Sequence, residues 1–138
     1  MEHMLSKWQP TALSLFRFIT GLLLFQYGVA KIFKFPAVPY FANVPPLIYT
    51  AGLLELVLGA LLMVGLFTRP VAFILAGEMA VAYFQFHYPQ SFFPTTNMGT
   101  PAIMYCFFFL YLVFAGPGVW SVDEMIARRR RVGYISQG

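Results

Sequence analysis

Four apolar stretches limit the folds that this chain can adopt. They cover about residues 11–33, 47–66, 70–87 and 101–118. A helix needs about 20 residues to cross the roughly 30 Å hydrocarbon core of a bilayer. Only 10% of the residues are charged, whereas a soluble domain carries about 25%. The sequence therefore predicts an integral membrane protein with four spanning helices.

Short connections between these stretches indicate that consecutive helices run antiparallel as neighbours. The predicted fold class is all-α, an antiparallel four-helix membrane bundle formed as one domain over residues 1–138. The first apolar stretch is too long for a signal peptide, and no small-residue cleavage site follows it. We therefore interpret it as a retained helix.

The distribution of cations predicts the orientation. With four spans, Lys7, Arg69 and Arg128–Arg131 lie on one side, and Lys31 and Lys34 lie on the other. Cytoplasmic loops of membrane proteins are enriched in lysine and arginine. We therefore expect a multi-pass protein with both termini in the cytoplasm.

The net charge of +4 does not indicate nucleic-acid binding. Four of the nine cations form the run Arg128–Arg131, within a basic tail over residues 124–138. A basic segment next to a membrane span is typical of an anchor on anionic lipid. The expected partner of this tail is the lipid bilayer.

Ionisable residues inside the apolar stretches are the first candidates for a functional site. They are Arg17, Lys31, Glu55 and Glu78, with His87 near the end of a helix. Such residues are costly in lipid, so they usually face the protein interior and pair. From their depths we expect Arg17 to contact Glu55 or Glu78, and Lys31 to reach the outer interface. Two interpretations remain open, because such a pair either fixes helix register or belongs to a functional site.

Helical periodicity indicates which faces these residues share. Arg17, Leu24 and Lys31 fall on one stripe of the first helix, together with two glycines, whereas Gln26 falls on the opposite face. Gly52, Glu55 and Gly59 cluster on the second helix. We expect the two faces to pack together, because small residues allow membrane helices to approach closely.

Three segments together resemble one family of small bacterial membrane proteins. They are "RFITGLLLFQYGVAKIF", "LLELVLGALLMVGLFTRPVAFILAGEMAVAYFQFH" and "YCFFFLYLVFAGPGVWSVD". The ordered residues are Arg17, Gly28-x-x-Lys31, Glu55-x-x-x-Gly59, Gly65-x-x-Thr68-Arg69, Glu78-Met79-Ala80, His87, Phe92-Phe93-Pro94, Tyr105-Cys106, Gly116-Pro117-Gly118 and Trp120-Ser121-x-Asp123. This set resembles the DoxX family.

The resemblance implies a four-helix bundle in the bacterial inner (plasma) membrane. It also implies kinship with DoxD-like subunits associated with thiosulfate:quinone oxidoreductase and with redox-stress partners. The cofactor that this kinship suggests is a quinone. The chain departs from the family at two places: Tyr27 stands where relatives often have histidine, and Asn97–Thr100 stands where they often have Asn-Gly-Gly-Glu.

Two functions from different classes fit this pattern. The first is a quinone-linked redox subunit, in which polar side chains bind the quinone head and handle its protons while a partner enzyme supplies electrons. The groups available are Arg17, Gln26, Tyr27, Glu55, Glu78, His87 and Tyr105. The second is a non-catalytic anchor, assembly factor or partner subunit. A channel or transporter component would require a homo-oligomer, since four short helices leave little room for a pore. No metal site is predicted.

If the protein binds a quinone, we expect a polar cavity between the first three helices, open toward the outer half of the membrane. Glu55 would form its floor, and Tyr27, Lys31 and His87 would line its mouth. Three glycines would give a ring-shaped ligand room beside the backbone; they are Gly28, Gly52 and Gly59.

Overall fold

The structure, a computed structural model, describes residues 1–137. The α-helices in that range are α1 (Glu2–Ser6), α2 (Gln9–Phe33), α3 (Pro46–Val64), α4 (Thr68–Ala82), α5 (Pro94–Asn97), α6 (Thr100–Ala115) and α7 (Val122–Ile135). A π-helix, Tyr83–His87, continues α4, and short 3-10 helices cover Pro39–Phe41 and Tyr88–Gln90. These described residues contain no β-strand, so the all-α class is confirmed.

Proline and glycine explain where the long helices begin and end. Prolines lie in the first turns of α2, α3 and α6, where the missing N–H loses no helical hydrogen bond. Gly65 ends α3 in the left-handed conformation, with φ of 73°. The fourth predicted helix is shorter than expected: α6 ends at Ala115 rather than near Gly118, because Gly116 leaves helical geometry with φ of 83°.

The long helices associate in two pairs, α2 with α3 and α4 with α6. The predicted glycine contact between the first two helices is confirmed. A β-carbon on Gly28 would lie only 2.6 Å from the amide nitrogen of Leu56, and one on Gly59 would lie 3.0 Å from the amide nitrogen of Phe25. The backbones of α2 and α3 therefore touch, because glycine supplies no side chain to separate them.

An apolar core joins the two pairs and draws on all four long helices. Leu24 of α2, Leu62 of α3, Leu75 of α4 and Phe109 of α6 are each at most 1% exposed. Large apolar side chains also cover the outward faces, such as Phe73 at 66% exposure. By length and composition, α2 and α3 could each cross a membrane, and α6 is a shorter apolar helix.

The start of α2, the end of α3, the start of α4 and the end of α6 meet at one end of the molecule. We call it the basic end because the six cations assigned above to the cytoplasm belong to it or to α7. The tryptophans Trp8 and Trp120 lie there too, 67% and 63% exposed. The uncharged loop containing His87 and Asn97 lies at the opposite end, between α4 and α6.

Candidate functional site

A buried ion pair links α2 to α3. The Lys31 Nζ lies 2.7 Å from Oε1 and 2.8 Å from Oε2 of Glu55. The two side chains are only 13% and 4% exposed, so solvent screens the pair weakly. The glycine contact positions it, since a β-carbon on Gly52 would lie 2.9 Å from the Lys31 Cβ. Lys31 therefore does not extend to the outer interface as expected, because Glu55 of the adjoining helix binds its ammonium.

Glu78 of α4 brings a second carboxyl group to this pair. Both of its carboxyl oxygens are buried, and neither has a hydrogen-bond partner among the described residues. Glu78 lies within electrostatic range of Glu55 and Lys31, and Tyr105 of α6 lies within range of Glu55. Each long helix thus contributes one member to what we call the inner polar cluster: Lys31, Glu55, Glu78 and Tyr105.

Two aromatic rings accompany the ammonium of this cluster. The Lys31 Nζ lies 6.0 Å from the centre of the Tyr27 ring and 5.4 Å from that of Phe41. An ammonium within about 6 Å of an aromatic face is attracted to its electron-rich centre. Tyr27, at 43% exposure, and Phe41 therefore border the cluster beside the Lys31 ammonium.

Arg17 takes no part in this cluster, and its predicted pairing with Glu55 or Glu78 is wrong. Its guanidinium is 2% exposed and donates to four backbone carbonyls. The acceptors are Leu62 and Met63 at 3.0 Å, Pro117 at 2.8 Å and Trp120 at 2.6 Å. The last carbonyls of a helix lack partners within the helix. Arg17 satisfies those at the end of α3, so neutral acceptors replace the expected carboxylate.

Two further charged side chains bind helix ends beside Arg17. The Arg69 Nη1 donates to the carbonyls of Val113 and Phe114, each at 2.7 Å, at the end of α6. The Asp123 carboxylate accepts from the amides of Phe67 and Thr68, each at 2.9 Å, at the start of α4. Both placements match the polarity of the helix dipole.

We call these three side chains, Arg17, Arg69 and Asp123, the clasp. Sequence reasoning missed the binding role of Arg69 and Asp123, although both stood in the ordered set of the resemblance. The sequence held no separate signal for them, because the glycine that makes room for each arginine comes from a distant part of the chain. A β-carbon on Gly65 would lie 2.5 Å from Arg17 Nη1, and one on Gly116 would lie 2.8 Å from Arg69 Nη2.

The other predicted site residues are placed apart from the inner polar cluster. Gln26 is exposed on α2. His87 belongs to the loop after α4: its Nδ1 lies 3.0 Å from the carbonyl oxygen of Asn97, and its ring stacks on Tyr83. Asn97 is fully buried and holds this loop through the Gly99 amide, at 2.8 Å.

The prediction that glycines leave room for a ring-shaped ligand between α2 and α3 is wrong. The glycines that were to provide it, Gly28, Gly52 and Gly59, are buried where the other helix fills the space. Two surface depressions lie elsewhere, at the basic end. One lies beside α7, and the other lies between the start of α2 and the end of α6.

Comparisons with known proteins agree with the ordered residues. The DoxX family profile matches residues 12–88, more than half of the chain. The chain belongs to the DoxX family. That family consists of membrane proteins, in agreement with the apolar helices α2 and α3.

The chain is also similar to an uncharacterized protein of Haemophilus influenzae. The two are 37% identical over 131 residues, which cover 91% of this chain and 98% of that protein. No solved structure matches the chain. The profile includes Arg17 and three members of the inner polar cluster, and it ends before α6.

Proposed function

We propose that this DoxX protein spans the bacterial inner membrane four times and binds the head group of a quinone at the inner polar cluster, as a subunit linked to a redox enzyme. The observation that carries the proposal is the Glu78 carboxyl group, which is buried beside the Lys31–Glu55 pair and has no hydrogen-bond partner within residues 1–137. An unsatisfied polar group inside a membrane protein is costly, so by default it indicates a ligand or proton site.

The side chains of the cluster fit the polar part of a quinone. A carbonyl oxygen needs hydrogen-bond donors, and the hydroxyl that forms on reduction needs an acceptor. Tyr105 and Lys31 carry donors, and Glu78 carries the unused carboxyl oxygens. Because α2 and α3 touch, the ring would approach from the side of α4 and α6. Reduction to the quinol takes two electrons and two protons. A partner dehydrogenase would supply the electrons, and the carboxyl groups would pass the protons.

A quinone-binding assay tests the proposal. The protein is extracted in mild detergent, its lipid fraction is assayed for quinone, and thermal unfolding is followed with added decylubiquinone. Wild type should retain quinone and melt at a higher temperature when it is added. Glu78→Leu removes the unpartnered carboxyl and should weaken binding about tenfold, as expected for one lost hydrogen bond to a charged or polar ligand. Gln26→Leu is the matched control, because it removes an exposed polar group outside the cluster and should leave binding unchanged.

If wild type carries no quinone, and added quinone neither binds nor raises the melting temperature, the redox proposal fails. A second candidate then takes its place: a non-catalytic anchor, assembly factor or partner subunit. The observation favouring it is that Glu55 and Lys31 already satisfy each other at a glycine contact, as a pair that fixes helix register would do. A stoichiometric protein partner that co-purifies without quinone would support this candidate.

A further inference from the structure

A surface depression of about 460 Å³ lies at the basic end, where the α3–α4 turn meets α7. It is remote from the inner polar cluster and shares no residue with it. The residues that line it are Phe67, Asp123, Ile126, Ala127, Arg130 and Arg131. One part of its lining is cationic and the other part is apolar.

The charge of the depression is positive because its two arginines outnumber its one acidic residue, Asp123, whose oxygens already bind backbone amides. The carboxylate of Asp123 accepts from two backbone amides at the start of α4. The neighbouring Glu124 binds Arg128 at 3.3 Å and Arg131 at 3.0 Å, which leaves Arg130 without an acidic partner in the described part of the chain. Two guanidinium groups therefore face the depression against the single carboxylate of Asp123, so the lining carries a net positive charge.

The apolar part of the lining is held in an outward position. Phe67 has a left-handed backbone, with φ of 52°, and its ring is 61% exposed. Non-glycine residues adopt this conformation only when the surroundings enforce it. Here the Asp123 carboxylate accepts a hydrogen bond from the Phe67 amide, so the turn keeps this backbone conformation and the Phe67 ring stays exposed. Ile126, 39% exposed, adds apolar area from α7.

The position of the depression indicates that it lies where the membrane meets water. Trp8 and Trp120 lie exposed at the same end, and tryptophan is enriched where a membrane meets water. The cytoplasmic leaflet is rich in anionic lipid and attracts basic segments next to spans. A phospholipid presents what this lining can bind: a phosphate for guanidinium groups and an apolar portion for the ring.

We propose that this depression is a binding site for one anionic phospholipid. Arg130 and Arg131 bind the phosphate, while Phe67 and Ile126 contact the glycerol and the upper acyl chains. The site ties α7 to the leaflet at one defined point, in addition to the diffuse attraction of the Arg128–Arg131 run. A soluble phosphate would leave the exposed Phe67 ring without a function, so the lipid is the better occupant.

The test uses the full chain in mild detergent, titrated with phosphatidylglycerol or phosphatidylcholine, with bound lipid counted by native mass spectrometry. Wild type should retain one phosphatidylglycerol and release phosphatidylcholine. Arg130→Gln/Arg131→Gln should weaken phosphatidylglycerol binding about 30-fold, since the loss of each guanidinium hydrogen bond to the phosphate weakens binding by a factor of about five. Phe67→Ser should weaken it as well.

The matched control is Arg128→Gln/Arg129→Gln, which removes the same charge from the same helix outside the depression. It should retain the bound lipid. Equal losses in the two double variants would show that diffuse charge acts rather than a site, and would overturn the proposal. Displacement of the lipid by excess inorganic phosphate would overturn it in favour of a soluble anion.

If the glutamine variant fails to fold, Arg130→Lys/Arg131→Lys decides the matter. Lysine keeps the charge but cannot bind phosphate through two parallel hydrogen bonds. The lysine variant should fold and bind phosphatidylglycerol more weakly than wild type. Unchanged binding would contradict a site built from guanidinium groups.

Discussion

Replacing Arg17 by alanine should lower the free energy of unfolding by about 4–6 kcal/mol, although no acidic side chain is lost from contact. Four carbonyls lose their donor, and only the bond to Leu62 is fully buried. A buried hydrogen bond to a charged group contributes about 3 kcal/mol, and each of the three partly buried bonds contributes about 0.5–1 kcal/mol. The loss should appear at the basic end, where the end of α3 would lose its ties to α2 and to the segment after α6.

Reversible unfolding in mixed micelles, titrated with a denaturing detergent and followed by circular dichroism, measures this change. Arg17→Lys is the control, since it keeps the charge but not the planar group that reaches carbonyls in several directions. It should recover less than half of the loss. Full recovery by lysine would refute the reasoning. Arg17→Ala combined with Glu55→Gln should be additive, because the two side chains share no partner; a coupling above about 1 kcal/mol would restore the rejected pair.

The remaining predictions concern the ion pair and the orientation. Lys31→Met and Glu55→Leu should each destabilise the protein by about 3–5 kcal/mol, because removing one partner leaves a buried charge. The double variant should be near wild type in stability. Additive losses in the same unfolding assay would contradict this prediction. In a Cys106→Ala background, Met98→Cys at the exposed loop should react only with an impermeant thiol reagent added outside the cell, and Lys7→Cys only after permeabilisation. Labelling of position 98 from the cytoplasm alone would overturn the orientation.

Helical periodicity was enough to predict how α2 meets α3. A stripe of glycines is visible in the sequence, and close contact follows from the absence of side chains. The buried positions of Gly28 and Gly59 confirm that expectation. The same contact contradicts the ligand-cavity hypothesis. A small residue leaves space for a ligand only when no neighbouring helix occupies that space. Whether a neighbouring helix fills it depends on tertiary structure, which periodicity does not specify.

The partner of Arg17 could not be predicted by matching charges. Charge and depth point only to carboxylates as partners, whereas the acceptors are backbone carbonyls, which any residue can offer. Lys31 shows the converse. Its partner, Glu55, is a carboxylate that the sequence reveals, but the estimated depth of Lys31 placed its ammonium at the outer interface. The clasp is similarly hidden in the sequence, since helix ends become acceptors and donors only once the helices have ended.

The bonds of Arg17 also impose an order on biogenesis. Leu62 and Met63 follow it by 45 and 46 residues, but Pro117 and Trp120 follow by 100 and 103. At about 5–20 residues per second, the last acceptors are synthesised roughly 5–20 s after the arginine. During that interval the guanidinium can hold the emerging α2–α3 hairpin but nothing beyond it. Arg17 therefore completes its hydrogen bonds only after residues 117–120 have been synthesised, and a chain truncated before residue 117 would lack two of its four acceptors.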